Sequence, residues 1–323
     1  MQKYYSKNIL VTGGRGFIGS HLVEKLVKQK LNVVIIDRLN LSRSYFNLKN
    51  LSSQTKVIFN DIKDYGKVLK VLRKYKIDYI FHLAAQSLVE KAFLNPLDTF
   101  KDNILGTANI LEAARSYGQI KGIVTASSDK AYGKTKRKYK ETDALCGDHP
   151  YEVSKTCADL IGQTYFKTYK LPIVITRFGN VFGPGDINFN RIIPGIMESI
   201  IKKKVLLVRS NGKYVRDYIY IKDAVDGYLL LLKNIDKVKG EAFNFGSQNT
   251  FSVLNLINQI EKILKVKVRY KILNQEKNEI PYQSLNWQKA EKILNWQPQF
   301  DFAKGVLQTY RWYKNYFKNE KTY

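Results

Sequence analysis

The sequence predicts an α/β fold: a doubly wound parallel sheet followed by a smaller C-terminal α/β lobe. Three observations predict it. Short apolar, β-branched runs alternate with amphipathic helical segments through the first half of the 323 residues, as βαβ units require. The first strand-to-helix junction, Val11-Thr-Gly13-Gly14-Arg15-Gly16-Phe17-Ile18-Gly19, is rich in glycine. After Gly179 the alternation loosens into less regular segments.

Taken in order, Asn8–Thr12 reads as a buried strand, and residues 17–29 as a helix with apolar residues at helical spacing. Residues 33–36, 57–59 and 79–83 read as the second, third and fourth strands. Residues 100–117 and 151–169 read as long helices on either side of a strand at 123–126, with a further strand at 172–177. The stretch 182–210 reads as loop-rich, and the segments beyond 244 as short helices and strands. The expected division is a first domain over residues 1–178, to which 218–240 return, and a second lobe over 179–323. No repeat, linker or low-complexity tract interrupts the chain.

Composition narrows the function classes. A hydrophobic content of 44% with 25% charged residues is that of an ordinary globular protein. No apolar run approaches the roughly 20 residues of a membrane span. The opening Met1-Gln-Lys-Tyr-Tyr-Ser-Lys7 lacks the apolar stretch of a secretory signal, so a cytoplasmic location is expected, with no membrane partner. Cys146 and Cys157 form no CxxC pair, and His21, His82 and His149 are scattered, so metal-free catalysis is expected. Lys+Arg of 54 against Asp+Glu of 28 leaves a net charge of +26. Lysine is spread throughout, and the one dense run is Lys134-Thr-Lys-Arg-Lys-Tyr-Lys140. Without a recognition motif the charge does not predict a nucleic-acid partner, whereas a small, doubly negative substrate would benefit from the same field.

The spacing Gly13-x-x-Gly16-x-x-Gly19 allows a tight turn, close approach of backbone to a pyrophosphate, and close helix–strand packing. A helix that begins there, with Phe17 and Ile18 in its first turn, directs its open N–H groups and positive end at the phosphates. With an acid at the end of the second strand, Asp37, this reads as a Rossmann-type dinucleotide site. Asp37 should accept from the adenosine ribose hydroxyls and repel a 2′-phosphate, which favours NAD. Arg15 and Arg38 are the counter-argument, since either could reach such a phosphate. Asp61 and Ile62 are expected beside the adenine, and Leu83, Ala84 and Ala85 beside the nicotinamide ribose. All five read equally well as ordinary strand-end residues.

Two further runs carry chemistry: Ser127-Ser128-Asp129-Lys130-Ala131-Tyr132-Gly133 and Tyr151-Glu-Val-Ser-Lys155. A phenol with a pKa near 10 needs help to accept a proton at neutral pH. Lys155, one helical turn beyond Tyr151, shares its face and with a positive nicotinamide favours the tyrosinate. Ser127 or Ser128 would hydrogen-bond the hydroxyl that Tyr151 deprotonates.

These runs, with His82-Leu-Ala-Ala-Gln86, Arg177-Phe-Gly-Asn180-Val-Phe-Gly-Pro-Gly185 and Arg216-Asp217-Tyr-Ile-Tyr-Ile-Lys-Asp223, resemble the landmarks of the extended short-chain dehydrogenase/reductases. Within them the chain resembles the nucleotide-sugar epimerase/dehydratase group over essentially its whole length. The resemblance implies a nucleotide-sugar substrate and a homodimer built on the two long helices. Those helices carry apolar residues on more than one face, which burial within the monomer would also explain.

The residues after the serines separate the chemistries of that group: small or apolar in 4-epimerases, an acid then a base in 4,6-dehydratases. Asp129-Lys130 departs from the commonest Asp-Glu pair. It resembles CDP-glucose 4,6-dehydratases and some UDP- or GDP-N-acetylglucosamine 4,6-dehydratases, and the clipped loop and short lobe resemble the GDP-N-acetylglucosamine enzymes most. The reading is therefore a 4,6-dehydratase. Tyr151 oxidises C4 with NAD, Lys130 removes the C5 proton, Asp129 protonates the departing C6 hydroxyl, and hydride returns to C6. Lys130 must be neutral to act as that base; otherwise it stays charged and pairs with a carboxylate or phosphate. Asn180, Arg191 and Arg216 resemble positions that hold the substrate pyrophosphate, as a forked guanidinium suits, although either arginine could be a surface residue. Gln86 and Ser87 are expected near the hexose. A 4-epimerase would leave Asp129 and Lys130 idle, a 4-dehydrogenase would release NADH, and a non-catalytic NAD-binding protein would not need the tyrosine–lysine pair.

Overall fold

A computed structural model of the chain describes residues 7–38, 40–275 and 279–319. The opening segment read above for a leader lies, up to residue 6, outside the described residues. The first half alternates β1 (Asn8–Thr12), α1 (Phe17–Lys28), β2 (Asn32–Asp37), α2 (Tyr45–Leu48), β3 (Lys56–Phe59), α3 (Tyr65–Lys74) and β4 (Tyr79–His82). Next come α4 (Val89–Leu94), α5 (Pro96–Phe100), α6 (Gly106–Tyr117), β5 (Gly122–Ala126), α7 (Pro150–Tyr169), β6 (Ile173–Phe178) and β7 (Asn180–Phe182). The remainder is α8 (Ile192–Lys202), β8 (Leu206–Val208), β9 (Val215–Tyr220), α9 (Ile221–Lys233), α10 (Ile235–Val238) and β10 (Ala242–Phe245). It closes with β11 (Thr250–Ser252), α11 (Val253–Leu264), β12 (Tyr270–Ile272), α12 (Gln288–Leu294) and α13 (Phe302–Lys318).

Seven strands form one parallel sheet in the order β3-β2-β1-β4-β5-β6-β10. Val11 of β1 stands opposite Ile35 of β2 and Phe81 of β4. Strand alternation divides the apolar residues between two faces. Ile9, Val11, Val33 and Ile35 pack with Leu22 and Leu26 of α1 and Leu231 of α9. Leu10, Val34, Ile36 and Ile80 pack with Val68 and Leu72 of α3 and Ile110 and Leu111 of α6. Because both faces are covered, the strands read as nearly unbroken apolar runs. The order reverses between β1 and β4, and a crevice opens there at the carboxyl ends of the strands. This is the doubly wound Rossmann-type sheet the sequence predicts.

Four elements differ from expectation. The helix expected at 100–117 is interrupted by a π-helical turn, Lys101–Leu105, whose Asp102 and Asn103 are buried. The loop-rich stretch contains α8; Pro194 looks like a breaker, but it sits in the first turn, where its missing N–H costs no helical bond. Beyond 244 the helices are not all short: α11 has 12 residues and α13 has 17. Lastly, β9 belongs to a three-stranded sheet β11-β9-β7, while α9 packs on the first sheet and β10, just beyond 240, is its seventh strand. No described helix is long and apolar enough to cross a membrane.

Candidate active site

One cleft of about 1620 Å³ runs from the β1–α1 turn, past β4 and β5, to α8 and β8. At its cofactor end Gly13 adopts φ +70°, and a Cβ there would stand 2.8 Å from the Ala84 backbone. A Cβ on Gly19 would meet the Gly13 carbonyl oxygen at 2.1 Å. Gly16 caps α1 without a side chain, so the first turn, with Phe17 and Ile18, presents backbone N–H groups to the cleft. The turn therefore fits a pyrophosphate, and it tolerates no side chain at its closest approaches.

Asp37 ends β2 and accepts the Arg15 backbone N–H at 2.9 Å. The two arginines that complicated the NAD assignment are both engaged. The Arg15 guanidinium lies over Phe46 and Phe59, 5.3 and 4.8 Å from the ring centroids, and donates to Asn40 and Asn47. Arg38 donates to Asp61 and, through both terminal nitrogens, to Asp102. Asp61 lines the cleft with Ile62, but its carboxylate is held by Arg38 and Lys63. Leu83, Ala84 and Ala85 line the wall between the two halves of the cleft, positioned by Thr12, which bonds the Leu83 and Ala84 N–H groups.

In the middle of the cleft, Pro150 starts α7 and the His149 side chain caps it. Tyr151 and Lys155 are both buried on one face of that helix. Burial pushes the Tyr151 phenol up to about 12; the Arg191 charge and the Ser128 hydroxyl oppose the rise, and Asp129 adds to it. Lys155 donates to the Ala126 carbonyl at 2.9 Å, and burial pushes it down to about 8. The phenol alone is thus harder to ionise than in water, and positive charge brought beside it would oppose that rise.

Ser128 caps a 3₁₀ turn, Asp129–Tyr132, and donates to Asp129 Oδ1 at 3.0 Å. Asp129 is 1% exposed, and its Oδ2 is buried with no hydrogen-bond partner. Lys130 Nζ lies 3.5 Å from Asp129 Oδ1 and 3.3 Å from Asn180 Oδ1. The Ser127 hydroxyl and Asn180 Nδ2 are likewise buried without partners. These orphaned groups all line the same cleft, where an oxygen-rich ligand would satisfy them.

The remaining expected substrate residues are divided. Arg191, at the N-terminus of α8, bonds Asp186 at 3.1 Å and reaches across the cleft to Ser87 at 3.2 Å. Arg216 lines the cleft with its guanidinium on Glu279 and on the Val215 and Ile280 carbonyls. Gln86 lines the cleft as well, with its amide bonded to Thr99 and the Leu88 backbone, which fixes the loop it stands on. Several structural partners escaped the sequence reading. Asp159 and Arg177 form a fully buried pair behind the 3₁₀ turn, and Asn103 ties the Gln86 backbone to Ser154 of α7. The spacing 151, 155, 159 was a helical-face signal for the first; nothing local marked the others.

Residues 10–309 match the family model described as GDP-mannose 4,6 dehydratase. The chain is 30% identical to human dTDP-D-glucose 4,6-dehydratase, over 98% of this chain and 93% of that one. It is 29% identical to dTDP-glucose 4,6-dehydratase of Haemophilus influenzae, over 95% and 97%. Among solved structures, dTDP-glucose 4,6-dehydratase from Streptomyces venezuelae with NAD bound superposes with a TM-score of 0.87 at 28% identity, covering 95% and 97% of the two chains. UDP-glucuronic acid 4-epimerase from Bacillus cereus, with NAD and UDP-glucuronic acid, gives 0.88 at 27% identity, covering 95% and 99%.

Proposed function

This chain belongs to the GDP-mannose 4,6 dehydratase family, and from that premise we propose that it converts a nucleotide hexose to its 4-keto-6-deoxy derivative. NAD is the cofactor, held by the Gly13–Gly19 turn, Asp37, Ile62 and the Leu83–Ala85 wall. Bound there, it supplies the hydride acceptor for C4 and the donor that returns hydride to C6. The observation that carries the reading is Asp129: a carboxyl buried beside Lys130, with one oxygen unpartnered, in the cleft that also holds Tyr151. C4 oxidation alone has no use for it.

Tyr151, hydrogen-bonded by Ser128, takes the proton of the C4 hydroxyl as the C4 hydrogen departs with its electron pair. The resulting ketone acidifies C5. Lys130, neutral at that moment, accepts the C5 proton; the C6–O bond breaks, and the oxygen leaves as water with the proton of Asp129. Once C6 has received the hydride, the C5 carbanion is reprotonated from Lys130; Tyr151 is left holding the C4 hydroxyl proton and Asp129 lacking its own, and exchange with solvent restores both. Arg191, Arg216, Asn180, Ser87 and Ser127 are proposed to hold the pyrophosphate and sugar, with the positive field of the chain favouring the dianion.

The Asp-Lys pair suits CDP-glucose and N-acetylglucosamine nucleotides alike, and the clipped loop and short lobe favour GDP-N-acetylglucosamine among them, whereas the relatives are named for dTDP-glucose and UDP-sugars. Exposed Leu97, Leu105 and Leu160, on the neighbouring segments around α5 and α7, favour a homodimer through those helices. Incubating purified protein with CDP-, UDP-, GDP- and dTDP-hexoses, read by mass spectrometry, tests the reading. Loss of one water without added NAD is expected with one nucleotide. An isomer of unchanged mass would instead mean a 4-epimerase.

A further inference from the structure

Behind the turn that carries Asp129 and Lys130 runs a chain of buried polar contacts that no catalytic step uses. Arg177 of β6 is 2% exposed and Asp159 of α7 is fully buried. Their pairing is two-pronged, with Nε to Oδ2 at 2.8 Å and Nη2 to Oδ1 at 2.9 Å. The third guanidinium nitrogen, Nη1, donates to the Tyr132 hydroxyl at 2.7 Å, and the guanidinium also lies 4.8 Å from the centre of that ring. Tyr132 is the last residue of the Asp129–Tyr132 turn. Its own hydroxyl donates to Asn244 Oδ1 of β10 at 2.8 Å, and its ring stacks on Tyr139 at 4.7 Å.

Asp159 follows Lys155 by four residues, as Lys155 follows Tyr151, so all three share one face of α7. Two rigid connections therefore meet at the 3₁₀ turn. One is direct, from the Thr156 hydroxyl to the Ala131 carbonyl at 2.9 Å. The other passes from α7 through Asp159 and Arg177 to Tyr132. A buried ion pair is a poor way to gain stability, because desolvation offsets most of its attraction; what a forked, two-pronged pair supplies is a fixed geometry.

We propose that Arg177, gripping Asp159 on one side and Tyr132 on the other, is a positioning residue that sets the Asp129–Lys130 turn at its working distance from Tyr151 and Lys155. It thereby couples the pair that eliminates water to the pair that oxidises C4. This rests on the dehydratase reading. Tyr151 and Lys155 are held by α7 and by the Lys155 bond to the Ala126 carbonyl, and Ser128 caps the end of the turn opposite Tyr132, so slackening the strut slows the elimination far more than C4 oxidation.

The test uses Tyr132→Phe, which removes one hydroxyl while keeping the ring stack, and Arg177→Lys, which keeps the charge but loses the fork. Single turnovers of full-length, NAD-loaded protein are followed with a nucleotide hexose that the wild type dehydrates. The absorbance of reduced cofactor reports oxidation, and mass spectrometry reports loss of water. In Tyr132→Phe the oxidation phase is expected to stay within about twofold and the elimination to slow about tenfold, so that reduced cofactor accumulates, as loss of one hydrogen bond to a charged group predicts. Independently of turnover, amide hydrogen exchange should rise over residues 129–133 and stay unchanged along α7. Equal slowing of both phases, or unchanged partition and exchange in both variants, overturns the inference while leaving the dehydratase reading intact. If no nucleotide hexose can be found that the wild type dehydrates, although it oxidises C4, the reading and the coupling are overturned together.

Discussion

Lys155 donates to the Ala126 carbonyl at 2.9 Å, joining α7 to the end of β5 just before the serine pair. The bond anchors the ammonium but does not compensate for its burial, and the group is pushed down to about 8, with Asp159 opposing the fall.

That shift has opposite consequences for stability and activity. The unfolded chain keeps the Lys155 proton up to about 10.4. Between about 8 and 10.4 the unfolded state therefore binds more protons, and the contribution of Lys155 to stability rises with pH. Activity should fall over the same range, because only the charged ammonium favours the tyrosinate. A pH profile of kcat/KM is expected to decline through about pH 8, and a profile flat to about pH 10 would exclude this role. Lys155→Met should be inactive yet melt no lower than wild type at neutral pH, since burying the cation costs roughly 3 kcal/mol there.

Asp129→Asn and Lys130→Ala should block dehydration by about 10²- to 10⁴-fold while reduced cofactor still forms, because neither residue takes part in C4 oxidation. Stopped-flow absorbance with product analysis separates the steps. Normal dehydration by both variants would make the assignment of acid and base wrong.

At Gly13 a substitution should act on cofactor binding. Its φ of +70° and the 2.8 Å approach to Ala84 leave no place for a methyl group. Gly13→Ala is expected to cost roughly 1–3 kcal/mol in strain and weaken NAD binding by about 10- to 100-fold, measurable by calorimetry. Unchanged affinity would mean that the turn does not meet the pyrophosphate.

Gln86→Ala should behave as a structural lesion. It leaves the Thr99 hydroxyl and the Leu88 N–H without their buried partner, a loss of about 1–3 kcal/mol. A lower melting temperature is expected. Weaker sugar binding at unchanged stability would instead place Gln86 against the substrate.

Much of this was legible along the chain, for definite reasons. Gly13, Gly16 and Gly19 act through backbone constraints that belong to their own positions, and Tyr151 and Lys155 meet because four residues make one helical turn. Strands β1, β2 and β4 announced themselves because both faces of the sheet are buried. By contrast, α8 was hidden by Pro194, and the π-helical turn by its lack of any compositional mark. The bonds of Gln86 to Thr99 and Leu88 were hidden because an amide beside a motif looks the same whatever partners it takes.

By itself the sequence determined the sheet, the dinucleotide turn and the Ser127–Gly133 and Tyr151–Lys155 runs, since each depends on residues within a few positions of one another. Only the tertiary structure decided that Arg15 and Arg38 are already engaged, that Lys130 reaches Asn180 50 residues away, and that Arg177 links Asp159 to Tyr132. Those relations join strand ends and helix faces distant along the chain. A buried charge takes the partners that packing brings within hydrogen-bonding distance, and no local spacing records which those will be.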